Sequence, residues 1–156
     1  MQLNKKAAQL LTLNKITLSL AESCTGGLVS NSLTDIPGAS SYLLLSVVAY
    51  DNKAKTSLLK VPSSLIKKHG AVSAPVAASM AQGVRRILKT TIGISLTGIA
   101  GPTGGSADKP VGTVFIALNT ATSSLCERYQ FKGSRIRIKN QAQQAALKML
   151  INFLVK

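Results

Sequence analysis

Ile16-Thr17-Leu18-Ser19-Leu20-Ala21-Glu22-Ser23-Cys24-Thr25-Gly26-Gly27 is the stretch on which the reading of this chain turns. The β-type run over residues 16–20 predicts a strand, and a helix is expected over residues 25–33, before the Asp35-Ile36-Pro37-Gly38 turn. Ser23 therefore falls at a strand-to-helix turn, where backbone N–H groups lack intrahelical partners and a hydroxyl stands in the open. A serine there can cap the helix. It can also act as a nucleophile, because the same turn offers donors to a developing oxyanion.

Working outward, helix and strand signals alternate along the whole chain. Leu3, Ala7, Leu10 and Leu11 recur at helical spacing, so an amphipathic helix opens the sequence. Residues 42–50 form an apolar, β-branched run that reads as a buried strand, followed by short helices over 53–59 and 63–68. Residues 74–89 are alanine-rich, with Pro75 suited to a first turn and Val76, Met80, Val84 and Ile87 on one face. A strand over 92–96 runs into a glycine-rich loop over 97–105. Two further strands over 111–119 and 124–131 read as a hairpin, and a last helix spans 136–154. The pattern predicts a single layered α/β domain over residues 1–156, with a mixed β-sheet flanked by helices.

The composition narrows the function. With 156 residues, 46% of them hydrophobic, the chain can bury one core. No signal-peptide core or membrane-length apolar run is visible, which makes a cytoplasmic protein without a membrane partner the expectation. Two cysteines, Cys24 and Cys126, offer no disulfide framework. The balance of 19 basic to 5 acidic residues gives +14 and favours anionic partners. The basic residues are nonetheless dispersed, their densest group being Arg128, Lys132, Arg135, Arg137 and Lys139, and aromatic residues make up only 4%. A base-stacking surface is poorly supplied, so a solvated basic exterior is preferred to a nucleic-acid interface. The alternative is a basic nucleotide or nucleic-acid binding module with no chemistry of its own.

Candidate chemistry is constrained by scarcity. One histidine, His69, and the carboxylates Glu22, Asp35, Asp51, Asp108 and Glu127 are scattered, without the ligand spacing of a zinc site. No metal and no cofactor is expected. Lysines are plentiful, so Ser/Lys chemistry is the economical form of a hydrolase here. Lys55 is the lysine in a compact signature, although an arbitrary lysine faces solvent. Cys24 lacks a neighbouring histidine and is read as a small packed group. The loop over 98–105 lacks the ending of a Walker loop and is read either as a tight turn or as a backbone that approaches a ligand closely.

AESCTGG at 21–27, YDNKAK at 50–55, HGAVS at 69–73, TGIAGPTGG at 97–105 and KPVGTV at 109–114 together resemble the CinA C-terminal domain family, the nicotinamide-nucleotide amidases. The order and spacing of these stretches cover nearly the whole chain, and the stand-alone form of the domain is the expectation. The resemblance implies metal-independent hydrolysis of the carboxamide of nicotinamide mononucleotide to nicotinic acid mononucleotide and ammonia, in pyridine-nucleotide salvage. It implies Ser23 as nucleophile, Lys55 as its base and Tyr50 as a third site residue that orients the dyad or relays a proton. A partly desolvated lysine amid positive charge loses its proton near neutral pH, which suits that role. The backbone from Cys24 through Thr25 to Gly26 supplies candidate oxyanion donors. Ser40 and Thr97 match hydroxyls of the family's pocket wall, and Gly98, Gly101, Gly104 and Gly105 are candidate ligand-lining positions.

The substrate's phosphate calls for an arginine fork. Where the family shows Gly-Asp-Arg with a second Arg one turn on, this chain has Gly133-Ser134-Arg135, then Arg137 and Lys139, so Arg135 is the first choice and Arg137 the second. Asp51 and Lys53 also depart from the family pattern. Asp51, four positions before Lys55, would favour the protonated amine if the two were close. Resemblance and apolar content together favour a homo-oligomer.

Overall fold

The computed structural model describes residues 1–156. In chain order it contains α1 (Leu3–Leu13), β1 (Leu18–Glu22), α2 (Leu28–Thr34), a 3-10 turn (Ala39–Ser41), β2 (Leu43–Val48), α3 (Asn52–Ser57), α4 (Ser63–His69), α5 (Ala74–Leu88), β3 (Ile92–Gly98), β4 (Thr113–Asn119), β5 (Ser124–Gln130) and α6 (Arg135–Leu154). The strands form one sheet in the order β2-β1-β3-β4-β5. β1 pairs in parallel with β2 and β3, whereas β3–β4 and β4–β5 are antiparallel, so the sheet is mixed. Parallel neighbours need crossover connections, and these are the segments that carry helices.

The two faces of the sheet are built differently. Leu18, Leu20, Ile94, Leu96, Ile116 and Leu118 are buried in the same core as Leu11, Leu33, Leu147 and Leu150 of α1, α2 and α6. Toward α5 the strands present Ala21, Gly93, Ser95 and Ala117. Small residues there let the helix lie close: a Cβ on Gly93 would collide with the Ala81 carbonyl, and Ser95 Oγ donates to the Ala77 carbonyl at 2.5 Å. β1 and β4 are buried at every position, while the edge strand β2 alternates between half-buried and exposed. Central strands covered on both faces read as continuous apolar runs, and an edge strand does not.

Several boundaries differ from those expected, for identifiable reasons. α2 starts at Leu28 rather than at 25 because Gly26 and Gly27 take φ of 60° and 100°, outside the helical region. β2 ends at Val48 because the carbonyls of Ala49 and Tyr50 turn to accept bonds from Lys55. β4 starts at Thr113 because Gly112 adopts φ of 95°. No helix is long and apolar enough to cross a membrane. The C-terminal ends of β1, β2 and β3 lie side by side, and the loops that follow them enclose the pocket described next.

Candidate active site

Glu22, the last residue of β1, organises the turn after it. Its carboxylate is wholly buried and accepts from Thr25 Oγ1 at 2.6 Å and from the amides of Gly27, Val29 and Ser30 at 3.2, 3.1 and 2.9 Å. A buried charge is tolerable only when so bonded, and the orphan amides at the start of α2 are what bond it. Ser23 is thereby relieved of capping. Its amide instead donates to the Leu96 carbonyl at 3.0 Å, which extends the pairing with β3 and fixes the backbone at Ser23.

The chain brings Lys55 to that position from 32 residues away. Lys55 Nζ lies 3.2 Å from Ser23 Oγ, 3.0 Å from the Ala49 carbonyl and 3.2 Å from the Tyr50 carbonyl. Ser23 is 8% and Lys55 2% exposed. Carbonyl oxygens can only accept, so a neutral amine here gives both of its N–H groups to Ala49 and Tyr50 and turns its lone pair toward the serine hydroxyl. Burial pushes the Lys55 pKa below its usual value, with the nearby Asp51 carboxylate pulling the other way. Asp51 spends its carboxylate elsewhere, capping α3 by accepting from the Lys53 amide at 2.7 Å.

Of the amides in the turn, that of Gly26 is taken by the Ser23 carbonyl at 3.0 Å and so is not an available oxyanion donor, contrary to expectation. Those of Cys24 and Thr25 have no backbone or side-chain oxygen acceptor in the fold. The Cys24 thiol is pushed up to about 11, first by burial, and stays protonated at neutral pH.

A pocket of about 280 Å³ opens beside the pair, lined among others by Ser23, Cys24, Lys55, Thr97, Gly101 and Arg135. Tyr50, Gly98 and Gly104 also line it. Tyr50 meets Lys55 through its main-chain oxygen; its hydroxyl instead accepts from Arg135 Nη2 at 2.9 Å, so it neither orients the dyad through the ring nor touches Ser23. Arg135 Nη1 donates to the Gly101 carbonyl at 2.8 Å. The Thr97 hydroxyl is committed to the Ala71 carbonyl at 2.9 Å.

Four expected positions lie elsewhere. Ser40 sits in the turn before β2, beyond the Leu18–Leu43 pairing, and therefore at the opposite end of the parallel strands from Ser23. Arg137 folds its stem back over Gly133, where an added Cβ would meet its side chain, and does not reach the pocket. Gly105 packs against Val111. Thr25 serves Glu22 and does not line the wall. Conversely, Asn52, Val72, Ile99 and Thr103 line the pocket unforeseen; Val72 lies within HGAVS, and Ile99 and Thr103 within TGIAGPTGG. No three His, Cys, Asp or Glu side chains converge anywhere as a metal-binding group. A larger cavity, about 840 Å³, lies between β5 and α6 and contains neither Ser23 nor Lys55, so size alone does not locate the chemistry.

The CinA C-terminal domain model matches residues 1–154. The chain belongs to the CinA C-terminal domain family. A CinA-like protein of Syntrophus aciditrophicus is 55% identical over 94% of this chain and 35% of its own length. A second, from Syntrophotalea carbinolica, is 48% identical over 94% of this chain and 36% of its own. This chain thus spans about a third of the length of these curated relatives. Among solved structures, the competence/damage inducible protein CihA of Agrobacterium tumefaciens superposes with a TM-score of 0.94 at 36% identity, covering 99% of this chain and 94% of that one. The competence damage-inducible protein A of Klebsiella pneumoniae gives 0.95 at 30% identity, covering 98% and 95%. The mixed five-stranded sheet with flanking helices is therefore the CinA-family fold.

Proposed function

We propose that this CinA-family domain is a metal-independent amidase that releases ammonia from nicotinamide mononucleotide, leaving nicotinic acid mononucleotide, as a step of pyridine-nucleotide salvage. The observation that carries the proposal is the buried contact of 3.2 Å between Ser23 Oγ and Lys55 Nζ, with carbonyl oxygens as the amine's remaining partners. A serine hydroxyl is a weak nucleophile until a neighbour accepts its proton, and a desolvated lysine is a base suited to neutral pH.

Neutral Lys55 takes the proton of Ser23 as Oγ attacks the carboxamide carbon. The negative charge that forms on the carbonyl oxygen is met by the amide of Cys24, which costs no reorganisation because the Glu22 bonds already hold the turn. Protonated Lys55 then gives its proton to the departing nitrogen, ammonia leaves, and an ester on Ser23 remains. Water, deprotonated by Lys55, adds to the ester; collapse expels Ser23, which recovers a proton, and frees the carboxylate product. Arg135 at the rim offers its guanidinium to the phosphate.

Purified protein assayed for ammonia from nicotinamide mononucleotide, with and without a chelator, tests the reading. Release that resists chelation and disappears in folded Ser23→Ala and Lys55→Ala supports it. Turnover that survives either substitution rejects the mechanism.

A further inference from the structure

The Arg135 guanidinium is held on both terminal nitrogens, by two acceptors of different kinds. The Gly101 carbonyl, bound at 2.8 Å, is part of a loop packed against Val111. The Tyr50 hydroxyl, bound at 2.9 Å, belongs to a side chain 59% exposed at the pocket mouth. The first contact anchors the guanidinium to the loop. The second is a neutral acceptor that an anionic one can replace, since a phosphate adds its own charge and a bidentate fit to the guanidinium fork.

We infer that Tyr50 is a specificity-determining residue: its hydroxyl takes one of the two N–H groups of Arg135 Nη2 at the pocket rim, and a ligand gains that N–H, and with it a full fork on the guanidinium, only by bringing an anionic group, such as a phosphate monoester, able to displace the hydroxyl. The inference rests on the amidase reading above. An amide without the anion leaves the Arg135–Tyr50 contact in place and gains nothing from that N–H. The hydroxyl is free to serve this purpose because Lys55 uses only the Tyr50 main chain.

The consequence has an unusual sign. Tyr50→Phe keeps the ring and the carbonyl on Lys55 but removes the competing acceptor, so it strengthens binding of the anionic substrate. Water competes for the exposed Tyr50 hydroxyl and discounts its bond to the guanidinium, which sets the gain at roughly two- to fivefold. KM for nicotinamide mononucleotide is expected to fall by that factor with kcat within about twofold, while KM for the phosphate-free nucleoside stays unchanged. Inhibition by inorganic phosphate should strengthen equally. In an Arg135→Lys background, Tyr50→Phe should have no effect.

A Tyr50→Phe enzyme whose KM rises, or whose kcat falls alike for both substrates, overturns the inference, because that pattern belongs to a packing or proton-transfer role. If wild-type protein releases no ammonia from either amide, the amidase reading fails by itself. Calorimetric titration with inorganic phosphate then still decides the matter: tighter binding to Tyr50→Phe than to wild type upholds the competition, and equal or weaker binding refutes it.

Discussion

Replacing Lys55 by methionine, which matches the stem in length and volume but lacks the amine, separates the function of this residue from its structural cost. Folding takes the amine out of water, and the depressed pKa records that penalty. Between that lowered value and the ordinary 10.5, the unfolded chain binds more protons than the native one, so the Lys55 contribution to stability improves as pH rises through the window. Methionine abolishes this dependence. It also leaves the Ala49 and Tyr50 carbonyls without their amine donor, at about 1–3 kcal/mol for a buried acceptor and less for the partly wet Tyr50. The two effects oppose each other, and the net change near pH 7 is expected within about 2 kcal/mol of wild type, with the variant gaining ground as pH is lowered. Activity should fall by about 10²–10⁴, the usual contribution of a positioned base. Urea denaturation at several pH values, alongside ammonia release, checks both. A folded Lys55→Met protein that keeps a tenth or more of wild-type turnover, or whose stability relative to wild type does not change with pH, refutes the reasoning.

Other substitutions probe the supporting structure. Glu22→Ala strands the three amides and the Thr25 hydroxyl that the carboxylate serves, and a loss of roughly 3–5 kcal/mol is expected by thermal or urea unfolding. Gly93→Ala drives a methyl into the Ala81 carbonyl and should cost about 1–3 kcal/mol, with turnover preserved in the fraction that folds. Cys24→Ala should retain activity within a few-fold, and wild-type enzyme should resist thiol alkylation at pH 7, because burial keeps the thiol protonated. Arg135→Gln should raise KM for the nucleotide about tenfold or more while kcat changes less, as measured by steady-state kinetics.

The fold was readable wherever one residue type had one physical use. The apolar runs of β1 and β3, the alternation of helices between them and the hairpin of β4 and β5 all follow from periodicity and turn residues. The pairing of Ser23 with Lys55 was not available from spacing alone. The two lie 32 positions apart across a crossover, and it is the family resemblance that places them together as an expectation. The roles of Glu22 and Tyr50 show how the detail escapes the sequence. A glutamate beside a serine reads as a candidate for many tasks, and only the positive φ of Gly26 and Gly27 sends the helix amides back to it rather than to Ser23. The resemblance implies that Tyr50 orients the dyad or relays a proton, but its carbonyl is what meets the amine, and a backbone oxygen carries no signature in an amino-acid string. Ser40 lies away from the site because residues before and after a strand sit at its opposite ends.

The central claim, that Ser23 forms an acyl bond after giving its proton to Lys55, is tested most directly by trapping the intermediate. Enzyme mixed with excess nicotinamide mononucleotide, quenched in acid within the first turnovers and digested with trypsin, should carry a mass increase equal to the nucleotide acyl group on the peptide of residues 16–53, localised to Ser23 and absent from Lys55→Met. Steady ammonia release with no adduct on that peptide in either early turnovers or steady state, or with the adduct on Cys24, would contradict the account.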